Sequence, residues 1–272
     1  MEKIGPNIYA ETKLPGCNPG FVVTDEGIVM IDAPQAPSAA LKWREFMRSK
    51  GELRYLINTE HHRDHITGNF FFSATGIAHQ KTKEAIASFE VNPILERIKA
   101  IDPEGYPLME GYYIKKPSIT FSERLTLNLG KHTFEVIHLP GHTAGQSAVY
   151  IPEERVVFTG DNVFHKVQTW LQEAYPEDWL KSLKKIGELD VDTIIPGHGE
   201  ICDKSYLKEQ AAFIEEWMEA VRLAIQRGLS KKEAQEKISF LDRYPMDVAL
   251  AAMGPEVMRM NVNRLYDLLS KR

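Results

Sequence analysis

Nine histidines occur in this 272-residue chain, and three of them crowd into one hexapeptide, Glu60-His61-His62-Arg63-Asp64-His65. Three further polar residues stand in short glycine-bearing turns: His142 in Leu139-Pro140-Gly141-His142-Thr143-Ala144-Gly145, Asp161 in Phe158-Thr159-Gly160-Asp161-Asn162, and His198 in Ile194-Ile195-Pro196-Gly197-His198-Gly199. Each group follows an apolar stretch of strand character, and turns of this kind carry side chains to one edge of a sheet. In an extended segment residues two apart project the same way, so Glu60, His62 and Asp64 can converge while His61 and Arg63 point elsewhere. His65 joins them if a helix begins there. Imidazole nitrogens and carboxylate oxygens ligate divalent metals, and three or four per ion leave room for water. Glu60, His62, Asp64, His65, His142, Asp161 and His198 are enough for two ions.

With these motifs in this order, the chain resembles the metallo-β-lactamase superfamily over roughly residues 4–201. The first motif of that family, HxHxDH, stands here as Glu60-x-His62-x-Asp64-His65, and the PGHT, GD and PGHG motifs follow at His142, Asp161 and His198. The resemblance implies an α/β fold, a four-layer αββα sandwich with metals at the sheet edge. It implies that Glu60, His62 and His142 hold one ion, that Asp64, His65 and His198 hold the other, and that Asp161 bridges them. A hydroxide between the ions would be the nucleophile, and Asp64 would orient it as the catalytic residue. More weakly, Asn261-Val262-Asn263-Arg264-Leu265-Tyr266 is similar to the tail of glyoxalase II-like hydrolases.

Position 60 departs from the family pattern. Two divalent ions bring +4; Glu60, Asp64, Asp161 and a hydroxide remove 4, whereas histidine at position 60 would leave +1. A more anionic site favours harder ions such as iron or manganese over zinc. The expectation is therefore a dinuclear hydrolase of a small ester, thioester or lactone, holding two divalent ions (Zn, Fe or Mn). Di-iron, oxygen-dependent chemistry on the same fold is the competitor. Hydrolysis of β-lactams fits less well, given the bridging Asp161, the helical tail and the lack of a signal-peptide pattern at the start.

The positioning elements are readable from periodicity and turn signals. Strands are expected at Gly20–Thr24, Ile28–Ile31, Leu53–Asn58 and Ile77–His79, with a helix capped by Ser38 between the second and third. Leu125 to Ile137 reads as a hairpin around Gly130-Lys131, followed by strands at Gln146–Ile151, Val156–Thr159 and Thr193–Ile195. Residues 90–117, broken by Pro93, Pro103, Gly105 and Pro107, read as an irregular lid or binding loop. Tyr106, Tyr112, Tyr113 and His165 are candidates for lining the substrate pocket. After Gly199 the spacing turns helical, over 203–227, a segment opened by the Ser230/Glu233 capping box, and about 255–269. The division expected is residues 1–201 as the sandwich and 202–272 as a helical extension packed on it.

Composition narrows the function further. With 33 basic and 38 acidic residues the net charge is −5, which disfavours nucleic-acid partners. Two cysteines, Cys17 and Cys202, cannot build a disulfide framework, and no apolar run is long enough to span a membrane. A cytoplasmic enzyme acting on a small molecule is expected, with a helix-mediated homodimer as the default assembly. His61 and Arg63 are expected to support the site, Asp32 to stabilise its backbone, and His79, His132 and His138 to be strand or turn residues.

Overall fold

A computed structural model describes residues 1–248 and 250–271. The first sheet runs, in spatial order, β1 (Glu2–Lys3), β2 (Ile8–Ala10), β3 (Gly20–Thr24), β4 (Gly27–Ile31), β5 (Leu53–Ile57), β6 (Thr75–His79) and β7 (Ile119–Phe121). Its first four strands pair antiparallel and the rest parallel. The second sheet comprises β8 (Arg124–Leu129), β9 (His132–His138), β10 (Ser147–Ile151), β11 (Val156–His165) and β12 (Thr193–Gly199), with only β11 and β12 parallel.

Period-two alternation sorts the apolar side chains into layers. Val29, Ile31, Ile57, Val149, Phe158 and Ile195 point into the space between the sheets. Their chain neighbours Ile28, Met30 and Leu56 face outward under α1 (Pro37–Arg48) and against Ile94 and Ile98 from further along the chain. On the far side Ala148, Val157 and Ile194 pack with Trp179, Leu183, Phe213, Trp217, Val257 and Leu265. The result is the expected αββα sandwich.

The remaining helices are α2 (Arg63–Ile66), α3 (Gln80–Ala87), α4 (Val91–Ile101), α5 (Pro176–Glu188), α6 (Leu207–Gln226), α7 (Lys231–Lys237) and α8 (Gly254–Leu269). Two expectations need correction. The stretch 90–117 is not wholly irregular: α4 occupies its first part, because Val91, Ile94, Leu95, Ile98 and Ile101 recur at helical spacing and Pro93 sits in the first turn, where no backbone donor is required. Ser38 is not the cap of α1. Pro37 opens that helix, and Ser38 instead donates through both its N and Oγ to Asp102 Oδ2 (2.9 and 2.7 Å). The Ser230/Glu233 capping box is present. Among the described residues no helix is long and apolar enough to cross a membrane.

The tail shares one core with the outer face of the second sheet and also holds a loop. Buried Asn261 on α8 accepts from Leu171 N (2.6 Å) and donates to Thr169 O (2.8 Å). Gln168 donates to Phe240 O and Tyr244 O, both at 2.6 Å. Asn261→Ala strands two buried backbone groups, so it should cost about 2–4 kcal/mol, seen as a lower urea midpoint at unchanged slope.

Candidate metal centre

The motif residues meet where the two sheets are tied together. Ser147 N on β10 donates to Thr59 O just past β5 (2.8 Å), and Asn18 N donates to Gly197 O (2.8 Å). Asn18 Nδ2 reaches Pro196 O and Gly199 O at 3.0 and 2.8 Å. Asp32, at φ 52°, closes β4 and accepts from Thr59 N (2.9 Å) and Thr59 Oγ1 (2.6 Å). Glycine is required at 197, where a Cβ would collide with Asp161 Oδ1, and at 160, which holds φ 50° against Thr59.

Within the hexapeptide, alternation accounts for only half of the convergence. Glu60 and His62 lie on an extended segment, with Glu60 Oε1 3.0 Å from His62 Nδ1. The chain then turns into α2, and it is this helical turn that swings Asp64 and His65 back to the same place. His65 Nε2 lies 3.1 Å from Asp161 Oδ1 and 3.5 Å from Glu60 Oε1. His142 Nε2 is 3.3 Å from Asp161 Oδ2, and His198 Nε2 is 3.3 Å from Asp64 Oδ2 and 3.4 Å from Asp161 Oδ2. All seven candidates therefore converge, in two adjacent groups: Glu60, His62, His142 and Asp161, and Asp64, His65 and His198, with Asp161 also facing His65 and His198 of the second.

Each imidazole is fixed from behind. His65 Nδ1 lies 2.9 Å from Asp32 Oδ2, His142 Nδ1 donates to Trp170 O (2.8 Å), and His198 Nδ1 lies 2.7 Å from Asp247 Oδ2. These three present Nε2 to the centre. His62 is reversed, presenting Nδ1 inward and Nε2 toward Glu173 Oε1 at 3.4 Å. Such contacts fix tautomer and ring orientation in metal-binding histidines.

The electrostatics fit divalent cations. Glu60 is fully buried, and His65, His142, Asp161 and His198 are nearly so. Buried His65 Nε2 and Asp161 Oδ1 have no hydrogen-bond partner although they lie 3.1 Å apart. Unpartnered lone pairs from nitrogen and oxygen donors aimed at one place are what a first-row divalent ion satisfies. Burial pushes His62, His65 and His198 down, but the surrounding acidic groups (Cys17 and carboxylates at His65, carboxylates at the other two) more than reverse it and leave all three raised; for His142 burial wins. Burial pushes Glu60, Asp64 and Asp161 up, and the imidazoles pull all three below their ordinary values.

His62, Asp64, His142, Asp161 and His198 line a cavity of about 270 Å³ whose walls also include Arg63, Phe89, Arg97, Trp170, Glu173 and Met253. The four pocket candidates lie elsewhere. Phe164 stacks on His198 (5.2 Å, 5°), so the next strand residue, His165, faces away and donates through Nδ1 to Glu200 O in a separate cavity. Tyr112 is buried against Phe70 below the site, and burial pushes its phenol up to about 12. Tyr113 is turned to solvent beside Phe70, and Tyr106 packs into the core under the first sheet.

Sequence reasoning missed Glu173, which holds His61 Nε2 at 3.1 Å, and also Asp247, Trp170 and Arg97. None of them belongs to a spaced motif; the acidic and aromatic residues of Trp170-Leu171-Gln172-Glu173 were the one available signal. Cys17 donates to Asp64 O (3.1 Å), and burial pushes its thiol up to about 12, consistent with an inert cysteine.

The profile of the metallo-beta-lactamase superfamily matches residues 13–198, which include all seven converging residues. The chain belongs to that superfamily. It is 29% identical over 196 residues to a hydroxyacylglutathione hydrolase of Bartonella henselae, an overlap of 72% of this chain and 66% of that protein. A hydroxyacylglutathione hydrolase of Brucella anthropi is 27% identical over 214 residues, 78% of this chain and 71% of the relative. The chain thus spans about two thirds of the length of these curated relatives. Among solved structures, a metallo-beta-lactamase family protein of Thermus thermophilus superposes at TM-score 0.73 with 17% identity, covering 99% of this chain and 95% of its own. That likeness extends the shared fold through the tail helices.

Two expectations follow. Asp247→Asn keeps the shape beside His198 but removes the charge, so metal affinity should fall about 10- to 100-fold in a competition titration. In chelator-treated protein, the raised histidines contribute stability below their ordinary value of 6.5 and lose it as pH rises through their higher folded values. The lowered carboxylates contribute above their ordinary values of 3.8 and 4.5 and lose it as pH falls through their lower folded values. The metal-free melting temperature should therefore fall as pH rises above the ordinary histidine value of 6.5, while added divalent metal, which needs deprotonated ligands, should restore it most at the alkaline end.

Proposed function

We propose that this protein is a dinuclear metal-dependent hydrolase of a small ester, thioester or lactone. The observation that carries the reading is the convergence of seven ligand-type side chains in two groups linked by Asp161, which lies 3.1 Å from His65, 3.4 Å from His198 and 3.3 Å from His142, with five of the seven lining one cavity. Its kinship with hydroxyacylglutathione hydrolases supports a hydrolytic reaction. Glu60, His62 and His142 would hold one divalent cation and Asp64, His65 and His198 the other, with Asp161 shared. Bound there, the pair supplies Lewis acidity toward a carbonyl oxygen and brings the pKa of water toward neutrality.

The chain's own groups do the rest. Asp64 lines the cavity and is kept ionised by His65 and His198, so its carboxylate is placed to orient the attacking water and take its proton. Trp170 O, Asp32, Asp247 and Glu173 keep the four imidazoles in register, and Phe89, Trp170 and Met253 shield the substrate from bulk solvent. The buried carboxylate of Glu60 favours iron or manganese over zinc. It also supports a second reading, oxygen-dependent chemistry at a di-iron centre.

Elemental analysis of protein grown with iron, manganese and zinc supplied together should find about two ions per chain, mostly iron or manganese. Glu60→His should shift the content toward zinc; stoichiometric zinc in the unaltered protein refutes the role given to Glu60. A panel of esters, thioesters and lactones should turn over equally with and without oxygen. Asp161→Ala should lower kcat/KM on the best of them by on the order of a thousandfold. An absolute oxygen requirement overturns the hydrolase reading.

A further inference from the structure

Two arginines on the cavity wall carry charge that the metal ligands do not use. Arg63 opens α2 immediately before Asp64, and Arg97 projects from α4; both are half-buried and line the same cavity as His62, Asp64, Asp161 and His198. Several exterior arginines pair with carboxylates: Arg155 with Asp190 and Asp192, Arg222 with Glu219, and Arg259 with Glu256. Among the described residues, Arg63 and Arg97 do not. Arg97 Nε donates to the neutral amide oxygen Gln35 Oε1 (3.3 Å), and Gln35 Nε2 in turn donates to Pro15 O (2.9 Å). The Arg63 guanidinium lies over the Phe89 ring, 5.5 Å from its centroid. These braces hold both groups in place and leave their charge unopposed.

The neighbouring carboxylates are committed elsewhere. Asp64 and Asp161 face imidazoles within the cluster, and Glu173 is held by His61 and His62. Counting the cluster as in the sequence, cations and acidic ligands offset one another; of the other groups lining the cavity, Arg63 and Arg97 outnumber the single carboxylate Glu173, so the wall is net positive. Unpaired cations on a partly desolvated surface are costly unless a ligand anion completes them, and the planar arginine fork matches a carboxylate. No lysine lines this cavity. Phe89, Trp170, Leu250 and Met253 supply its apolar wall, and Gln172, whose Oε1 is buried without a partner, lies between this cavity and a neighbouring one. At about 270 Å³ the space suits a compact molecule.

We infer that Arg63 and Arg97 form an anion subsite, and that the substrate is a compact ester, thioester or lactone bearing a carboxylate near its scissile bond. This rests on the hydrolase reading and adds the substrate's charge to it. Gln172 Oε1 accepts from a hydroxyl or amide N–H of the same molecule.

The test uses matched pairs on the metal-loaded protein: the S-acetyl thioesters of 3-mercaptopropionate and its amide, and γ-butyrolactones carrying a carboxylate or a carboxamide. The kcat/KM should favour the carboxylate member about tenfold or more, through KM, as a charged hydrogen-bond pair provides. Arg63→Met and Arg97→Met should each bring that ratio toward one. Arg97→Lys, which keeps the charge and loses the fork, should fall between, and Arg124→Met on the remote β8 edge should leave the ratio intact. A ratio near one in the unaltered protein, or one that survives both methionine variants, overturns the subsite. If no pair is turned over, the hydrolase reading fails and calorimetry decides the subsite separately. Tighter binding of glutarate than of its monoamide, lost in both methionine variants, sustains it; equal binding ends it.

Discussion

Seven ionisable side chains share one buried volume, and the rest of the molecule is arranged around that fact. Taking a carboxylate or imidazolium out of water costs several kcal/mol unless charge and hydrogen bonds replace the hydration shell. Here three carboxylates and four imidazoles face one another, yet His65 Nε2 and Asp161 Oδ1 remain without partners. Proteins orphan few buried polar atoms. The arrangement is coherent as a ligand cage, because the imidazoles are oriented by outward contacts so that their free nitrogens point at the same space. Asp32 in a left-handed conformation and the bare backbones of Gly160 and Gly197 are further costs accepted to close it.

The sandwich brings the motif turns to one edge, but the tail holds part of the site in register. The superfamily match ends at residue 198. Beyond it lie Asp247, which faces His198 Nδ1, and Asn261, which grips the loop whose Trp170 carbonyl accepts from His142 Nδ1. Arg264 Nε donates to Ala174 O at the other end of that loop. One histidine from each of the two groups is thus tied, directly or through this loop, to residues outside the matched segment. The C-terminal helices are a structural part of the centre rather than an appendage.

What could be read in the sequence was what lies close in sequence. The hexapeptide, the three glycine turns, the Asp25-Glu26-Gly27 turn before the strand Ile28–Ile31 and the capping box at Ser230 are all local signals; the strand and the capping box form as expected, and the hexapeptide and turns converge. The contacts that orient the imidazoles were invisible because they span long separations: 49 residues between His198 and Asp247, 111 between His62 and Glu173. Residues 90–117 misled for a different reason. Pro93, Pro103 and Gly105 punctuate the stretch so heavily that the helical spacing from Val91 to Ile101 was overridden, although a proline in a first turn breaks nothing. His165 failed by one residue of strand parity, since Phe164 holds the inward position.

Glu60 changes more than the identity of one donor. A histidine at this position would present a single nitrogen to one ligand group. Glu60 Oε1 instead lies 3.0 Å from His62 Nδ1, 3.6 Å from His142 Nε2 and 3.5 Å from His65 Nε2, so it touches members of both groups. Asp161 does the same from the opposite strand, with Oδ1 toward His65 and Oδ2 toward His142 and His198. Two carboxylates therefore stand across the junction where the family pattern leads one to expect a single one. Fully desolvated negative charge at a junction interacts with everything around it through a low dielectric. Its effect cannot be confined to the half of the cluster in which the sequence motif places it, and the position 60 carboxylate is best understood as a property of the whole pair of sites.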